Sequence, residues 1–117
     1  ANVYKNIQAT IDQASTDVAM YTSPTATTSI IKTIRLFNTH SGDLDVTSTV
    51  YDASSATNFE WDKTNVVADN HANLLTYNNL LVLEAGDILK MQTPTTDVIN
   101  MTAAVLQITR PPEVTTT

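Results

Sequence analysis

Leu80 to Thr93 reads LLVLEAGDILKMQT. Leu80 to Leu83 is an apolar run. Glu84-Ala85-Gly86-Asp87 is turn chemistry, after which Ile88, Leu89 and Met91 alternate loosely with Lys90 and Gln92. Short runs of this kind about a glycine-bearing corner predict a β-turn-β unit. Gly86 is expected at φ > 0, and the Asp87 carboxylate is expected to cap the turn that Glu84 opens.

Working outward, the same grammar recurs. Leu44 to Asp52 (LDVTSTVYD) alternates cleanly, with Leu44, Val46, Ser48 and Val50 on one face. Ile30 to His40 (IIKTIRLFNTH) is a second strong strand, with Ile30, Ile34 and Leu36 assigned to one face and Ile31, Thr33, Arg35 and Phe37 to the other. Ser41-Gly42-Asp43 between them predicts a hairpin. Asn58 to Thr64 (NFEWDKT) places Phe59 and Trp61 on one face and Glu60 and Asp62 opposite. Val98 to Thr109 is the last long strand, Asp17 to Tyr21 a short one, and Asn2 to Ile11 an extended arm or first strand. Pro24, which has no N–H for a ladder, belongs at a strand end. Asp69-Asn70-His71 reads as a polar turn. Ala68 to Leu83 is the best helix candidate, but its Asn content and strand-like end argue against a helix.

Strands of five to ten residues separated by turn signals indicate an all-β, antiparallel β-sandwich of about eight strands, jelly-roll or Ig-like. The expected organisation is residues 1–12 as arm or first strand, 13–109 as sandwich, and 110–117 as an extended Thr/Pro tail. At 117 residues the chain fits one domain, of a size that buries roughly 65–70 % of its unfolded surface. Only two Gly are present, so most turns must be built from Asn, Asp, Ser and Thr.

Composition narrows function. The net charge is -6 and the pI near 4.5, which opposes binding to nucleic-acid phosphates or to anionic lipid. No apolar run approaches the roughly 20 residues of a membrane helix. ANVYKNIQAT lacks a basic and apolar leader pattern, and Ala1 is what removal of an initiator Met would leave. With no Cys, disulfides and thiol catalysis are excluded.

His40 and His71 lack a partner at metal-ligand spacing, and no P-loop, G-x-G-x-x-G or G-x-S-x-G occurs. Asp43 and Asp45 lack the further oxygen ligands a calcium loop needs. Glu60 and Asp62 flank Trp61, a pairing that can mark sugar hydrolysis, yet they sit two apart on one strand and read as a solvated face. The chain is therefore read as a non-enzyme without metal or cofactor. Tyr4, Tyr21, Tyr51, Tyr77 and Trp61 cannot all lie in one core. An exposed aromatic surface suits a subunit interface or a glycan-binding module.

The stretch LLVLEAGDILKMQT resembles a segment of small virion proteins of tailed bacteriophages. TDVAMYTSPTATTSIIKTIRLFNTHSGDLDVTSTVYDASS is similar to that family's opening, and AVLQIT to its closing strand. The resemblance covers Tyr4 to Thr109 and departs at Asn78-Asn79 and in the longer tail. It implies a β-sandwich building block of the virion: a head decoration (cement) protein on the capsid surface, or a neck, tail or baseplate component. It further implies the major capsid protein or other virion proteins as partners, and a homo-oligomer such as a trimer. On that reading Tyr4, Tyr51, Trp61, Arg110 and Pro111 are the candidate interface.

Overall fold

A computed structural model of the chain describes residues 2–75 and 79–109. Arg110, Pro111 and the rest of the expected tail, like Tyr77 and Asn78, lie outside the described residues. Nine strands follow in order: β1 (Asn2–Thr10), β2 (Val18–Thr22), β3 (Thr27–Asn38), β4 (Leu44–Asp52), β5 (Thr57–Val66), β6 (Asn70–Leu75), β7 (Leu81–Leu83), β8 (Ile88–Gln92) and β9 (Ile99–Thr109). No described residue is helical. Sheet A has the order β1-β9-β3-β6, with β7 also on β3, and sheet B the order β2-β8-β4-β5. Every pairing is antiparallel.

β6 and β7 are one strand position interrupted. β6 pairs with Ile34 to Asn38 of β3, and β7 continues along the same edge opposite Ser29 to Ile31. Counted this way there are eight positions, and the chain changes sheet at nearly every connection. The first and last strands lie side by side. This winding is the jelly roll, which settles the choice against an Ig-like sandwich.

The core lies between the sheets. Sheet A contributes Ile31, Ile34, Leu36, Leu83, Ile99, Met101 and Val105; sheet B contributes Val46, Val66, Leu89 and Met91, all essentially inaccessible to solvent. Period-two alternation on β8 and β9 supplies this face directly.

Four expectations are corrected. First, neither glycine corner is a hairpin. β3 and β7 belong to sheet A, whereas β4 and β8 belong to sheet B. Ser41–Asp43 and Glu84–Asp87 therefore carry the chain across the sandwich. Two alternating runs about a turn look the same in sequence whether the strands pair or part. The one connection that joins consecutive strands of sheet B is the loop from Asp52 to Thr57.

Second, Ile31 lies with Ile34 and Leu36 in the core, and Ile30 faces out. The register of β3 on β9 shifts between Ile31 and Thr33. A bulge at Lys32 inserts one residue and reverses the alternation. Third, β5 shifts between Glu60 and Asp62, which face Thr49 and Ser48 respectively. Trp61 sits in that bulge, so the two carboxylates are not on one face. Fourth, Asn70 and His71, expected in a turn, open β6 instead.

Turn backbones bear out the scarcity of glycine. Ser15, Ala26, Ala56, Asp69 and Asp97 all have φ between 52° and 63°, and Gly86 has φ 86°. Ser and Asp tolerate this left-handed region through local hydrogen bonds, whereas Ala has no such help.

Candidate functional site

At the β7–β8 corner, Gly86 occupies the left-handed region and Asp87 is buried. The Asp87 carboxylate accepts from the Glu84 N–H (2.9 Å) and from the Ala53 N–H (3.0 Å), tying the corner to the β4–β5 loop. The Gly86 N–H donates to Ser23 O (3.0 Å) and the Ser23 N–H to Asp87 O (2.9 Å). This corner is structural: its polar atoms are spent on the backbone.

Beside it lies a buried polar chain that the sequence did not disclose. Gln107 Nε2 donates to Tyr21 Oη (2.7 Å). Tyr21 Oη lies 2.7 Å from Ser29 Oγ, Ser29 Oγ lies 2.8 Å from Ser23 Oγ, and Ser23 Oγ donates to Thr27 O (2.9 Å). Because Ser23 has one proton and gives it to Thr27, Ser29 must donate to Ser23 and Tyr21 to Ser29. All bonds then run in one direction, so each polarises the next. Tyr21 comes from sheet B and Gln107 from sheet A, so the chain stitches the two sheets.

The aromatic candidates are not brought together. Tyr4 stands on the outer face of sheet A, 70 % exposed, with Lys32 Nζ 5.0 Å from its ring centre. Tyr51 lies on the outer face of sheet B beneath Lys90 Nζ, at 4.9 Å. Trp61 packs against the core, and its Nε1 is buried without a hydrogen-bond partner among the described residues. The shared aromatic face expected from the sequence does not form, and with Trp61 turned inward the glycan platform loses its largest ring.

The carboxylates are likewise dispersed. Asp43 accepts from the Ala68 N–H (2.8 Å), Asp45 from Asn65 Nδ2 (2.8 Å), and Asp62 from the Thr64 hydroxyl. Asp45 and Glu60 share a shallow depression with Lys63 on sheet B. Among the described residues no group of three or more His, Asp or Glu is placed to hold a metal ion. His40 closes its own turn, its Nδ1 accepting from the Gly42 N–H (3.0 Å). The hydrogen bond from the Ser54 hydroxyl, aided by the Ser54 N–H, holds the exposed Asp52 carboxyl below its ordinary range.

An accessible apolar row crosses sheet A. Tyr4 pairs with Leu106, Leu106 with Ile30, and Ile30 with Val82. All four face away from the core; Tyr4 and Val82 are more than half exposed. The bulge at Lys32 is what turns Ile30 outward into this row. The signal was present in the spacing of Leu106 and Val82, but the row needs strand pairing to be seen.

No protein-family model matches the chain, and no curated protein matches it. Solved structures do. A chain of the extra small virus (XSV) virus-like particle from the giant freshwater prawn Macrobrachium rosenbergii matches 95 % of this chain and 80 % of its own length, at TM-score 0.55 and 13 % identity. A chain of the Bacillus endospore appendages, described as disulfide-linked pili, matches over 94 % of this chain and 89 % of its own, at TM-score 0.51 and 11 % identity. At these identities the shared property is the β-sandwich fold. The present chain has no Cys.

Proposed function

We propose that this chain is a structural protein of a bacteriophage virion, acting as a head decoration or cement protein on the capsid surface. The observation that carries the reading is the jelly-roll strand order of this chain, together with its structural likeness, over nearly its whole length, to a chain of a virus-like particle. The sequence resemblance to tailed-phage virion proteins over Tyr4 to Thr109 points the same way. The mechanism is mechanical. Subunits, as a closed homo-oligomer such as a trimer, bind the major capsid protein across capsomer junctions and add buried interface to the shell. Each contact is modest, and repetition over one shell makes the sum large.

All nine residues of β1 pair with β9 within one chain. Removing residues 1–10 would strip β9 of a neighbour and take away Ile7 and Ala9, which pack on the core. Attachment is better probed by point substitution on the outer faces than by truncation.

The deciding experiment is copy number. Mass spectrometry of purified source particles should find this chain in fixed, high ratio to the major capsid protein. A small minority ratio would move it to the neck, tail or baseplate, and absence from particles would overturn the virion reading.

A further inference from the structure

We infer that the outer face of sheet A is a docking surface for the carboxylate-bearing surface of a second copy of this chain, in a heterologous contact. Three observations lead there. The first is the apolar row Tyr4–Leu106–Ile30–Val82, which crosses four neighbouring strands and is open to water. Scattered apolar side chains on a surface need no explanation, but a contiguous row spanning a sheet marks a contact.

The second is charge segregation. In a chain of net charge -6, none of the five strands of sheet A contains an Asp or Glu. They do contain Lys5, Lys32 and Arg35. Every described carboxylate lies in sheet B or in a connection. Lys32 stands over Tyr4 at the apolar row, and Arg35 is further along the same face, held by Asn73 Oδ1 at 3.2 Å. Lys5 pairs with the core-facing Val105, so the outer face carries Lys32 and Arg35, and two cations are too few for a nucleic-acid surface, where affinity scales with the phosphates neutralised. They suit a protein surface rich in carboxylates and partly apolar, and the remainder of this chain is such a surface.

The third is size. Four strand positions about 4.8 Å apart and up to 12 residues long cover at most roughly 780 Å², close to the roughly 800 Å² per partner of a standard interface. Packing the face on its own copy would set Lys32 and Arg35 against each other with no carboxylate between. The contact therefore joins unlike surfaces, the geometry that closes into a ring or runs on as an open assembly.

Sedimentation velocity on the full chain, over a range of concentrations, tests this. The wild type should associate with rising concentration, and about 1 M salt, where the screening length falls to ~3 Å, should weaken it. K32E/R35E, and separately Tyr4→Ala with Val82→Asp, should each weaken association at least tenfold. All four positions are outside the core, so circular dichroism and the melting temperature should stay at wild-type values. Mixed with wild type, K32E/R35E should still enter complexes, because its acidic surface is intact, and should shorten them. A wild type that stays monomeric overturns the inference, as does association indifferent to both variants. Failure of the variant to enter mixed complexes overturns the heterologous arrangement. Because the readout uses the isolated chain, its failure leaves the copy-number test of the virion reading standing.

Discussion

The corners Ser41–Asp43 and Glu84–Asp87 look alike and are built differently. Each contains Gly-Asp, each passes from sheet A to sheet B, and each is clamped by one buried short polar side chain. At the first, the clamp is Asn38, wholly buried: Nδ2 donates to Gly42 O (2.9 Å) and Val66 O (3.1 Å), while Oδ1 accepts from the His40 N–H (2.8 Å). At the second, it is the Asp87 carboxylate, which only accepts. The glycines differ more. Gly86 has φ 86°, and a Cβ there would lie 3.2 Å from the Ala53 Cβ. Gly42 is outside the left-handed region, and a Cβ there would meet the His40 ring at an ordinary 3.4 Å. One glycine is demanded by the backbone. The other occupies a position that a larger residue can take.

Breaking the second corner should have the largest effect. Gly86→Val places a β-branched residue in the left-handed region and against Ala53, and should cost about 3–4 kcal/mol. A urea melt at wild-type midpoint would refute the assignment. Where the variant still folds, the outer face of sheet A should be unaltered. Asn38→Ala should follow at about 2.5 kcal/mol, because the buried Val66 carbonyl, the part-buried Gly42 carbonyl and the His40 N–H lose this partner. The sharper form of this test is Asn38→Asp. A carboxylate of the same shape accepts from His40 but donates to neither Gly42 nor Val66, so most of the loss should persist.

Asp87→Asn is the converse substitution and should cost about 2 kcal/mol by thermal unfolding, since one of the two N–H donors then faces an amide NH₂. If Asp87→Asn and Asn38→Asp were both silent, the clamps would be incidental to the corners. Asp87→Ala should be no milder than Asp87→Asn, which checks that the accepted N–H bonds, and not the volume of the side chain, are what matters.

The strands were legible because alternation and turn residues are local, and the all-β class follows from them. Which sheet each strand joins was not legible, since a Gly-Asp corner is compatible with pairing or with crossing. The bulges at Lys32 and Trp61 were hidden for the same reason. One inserted residue reverses the faces, and only the partner strand reveals it. That error placed Ile30 on one face with Ile34 and Leu36 and concealed the apolar row. Asn38 was missed although it sits at i+2 and i+4 from Leu36 and Ile34, the parity of the buried face. A polar residue in that phase is the trace a clamp leaves in sequence. The absence of Asp and Glu from sheet A was also written in the strands, but it acquires meaning only when β1, β3, β6, β7 and β9 are known to share one sheet.

Gly42→Ala is the smallest effect expected and the most telling for the comparison. The added methyl meets only His40 Nδ1 and Cε1, at 3.4 and 3.5 Å, at the distance of ordinary van der Waals contact. Ala also restricts the unfolded chain more than Gly does, a gain of about 0.4–1 kcal/mol where the native backbone accepts it. The two terms oppose each other weakly, so the melting temperature should stay near wild type or rise slightly. A loss as large as that of Gly86→Val would mean that the His40 turn, which donates the Gly42 N–H to Nδ1, is as tightly specified as the Asp87 corner, and the distinction between the two corners would fall.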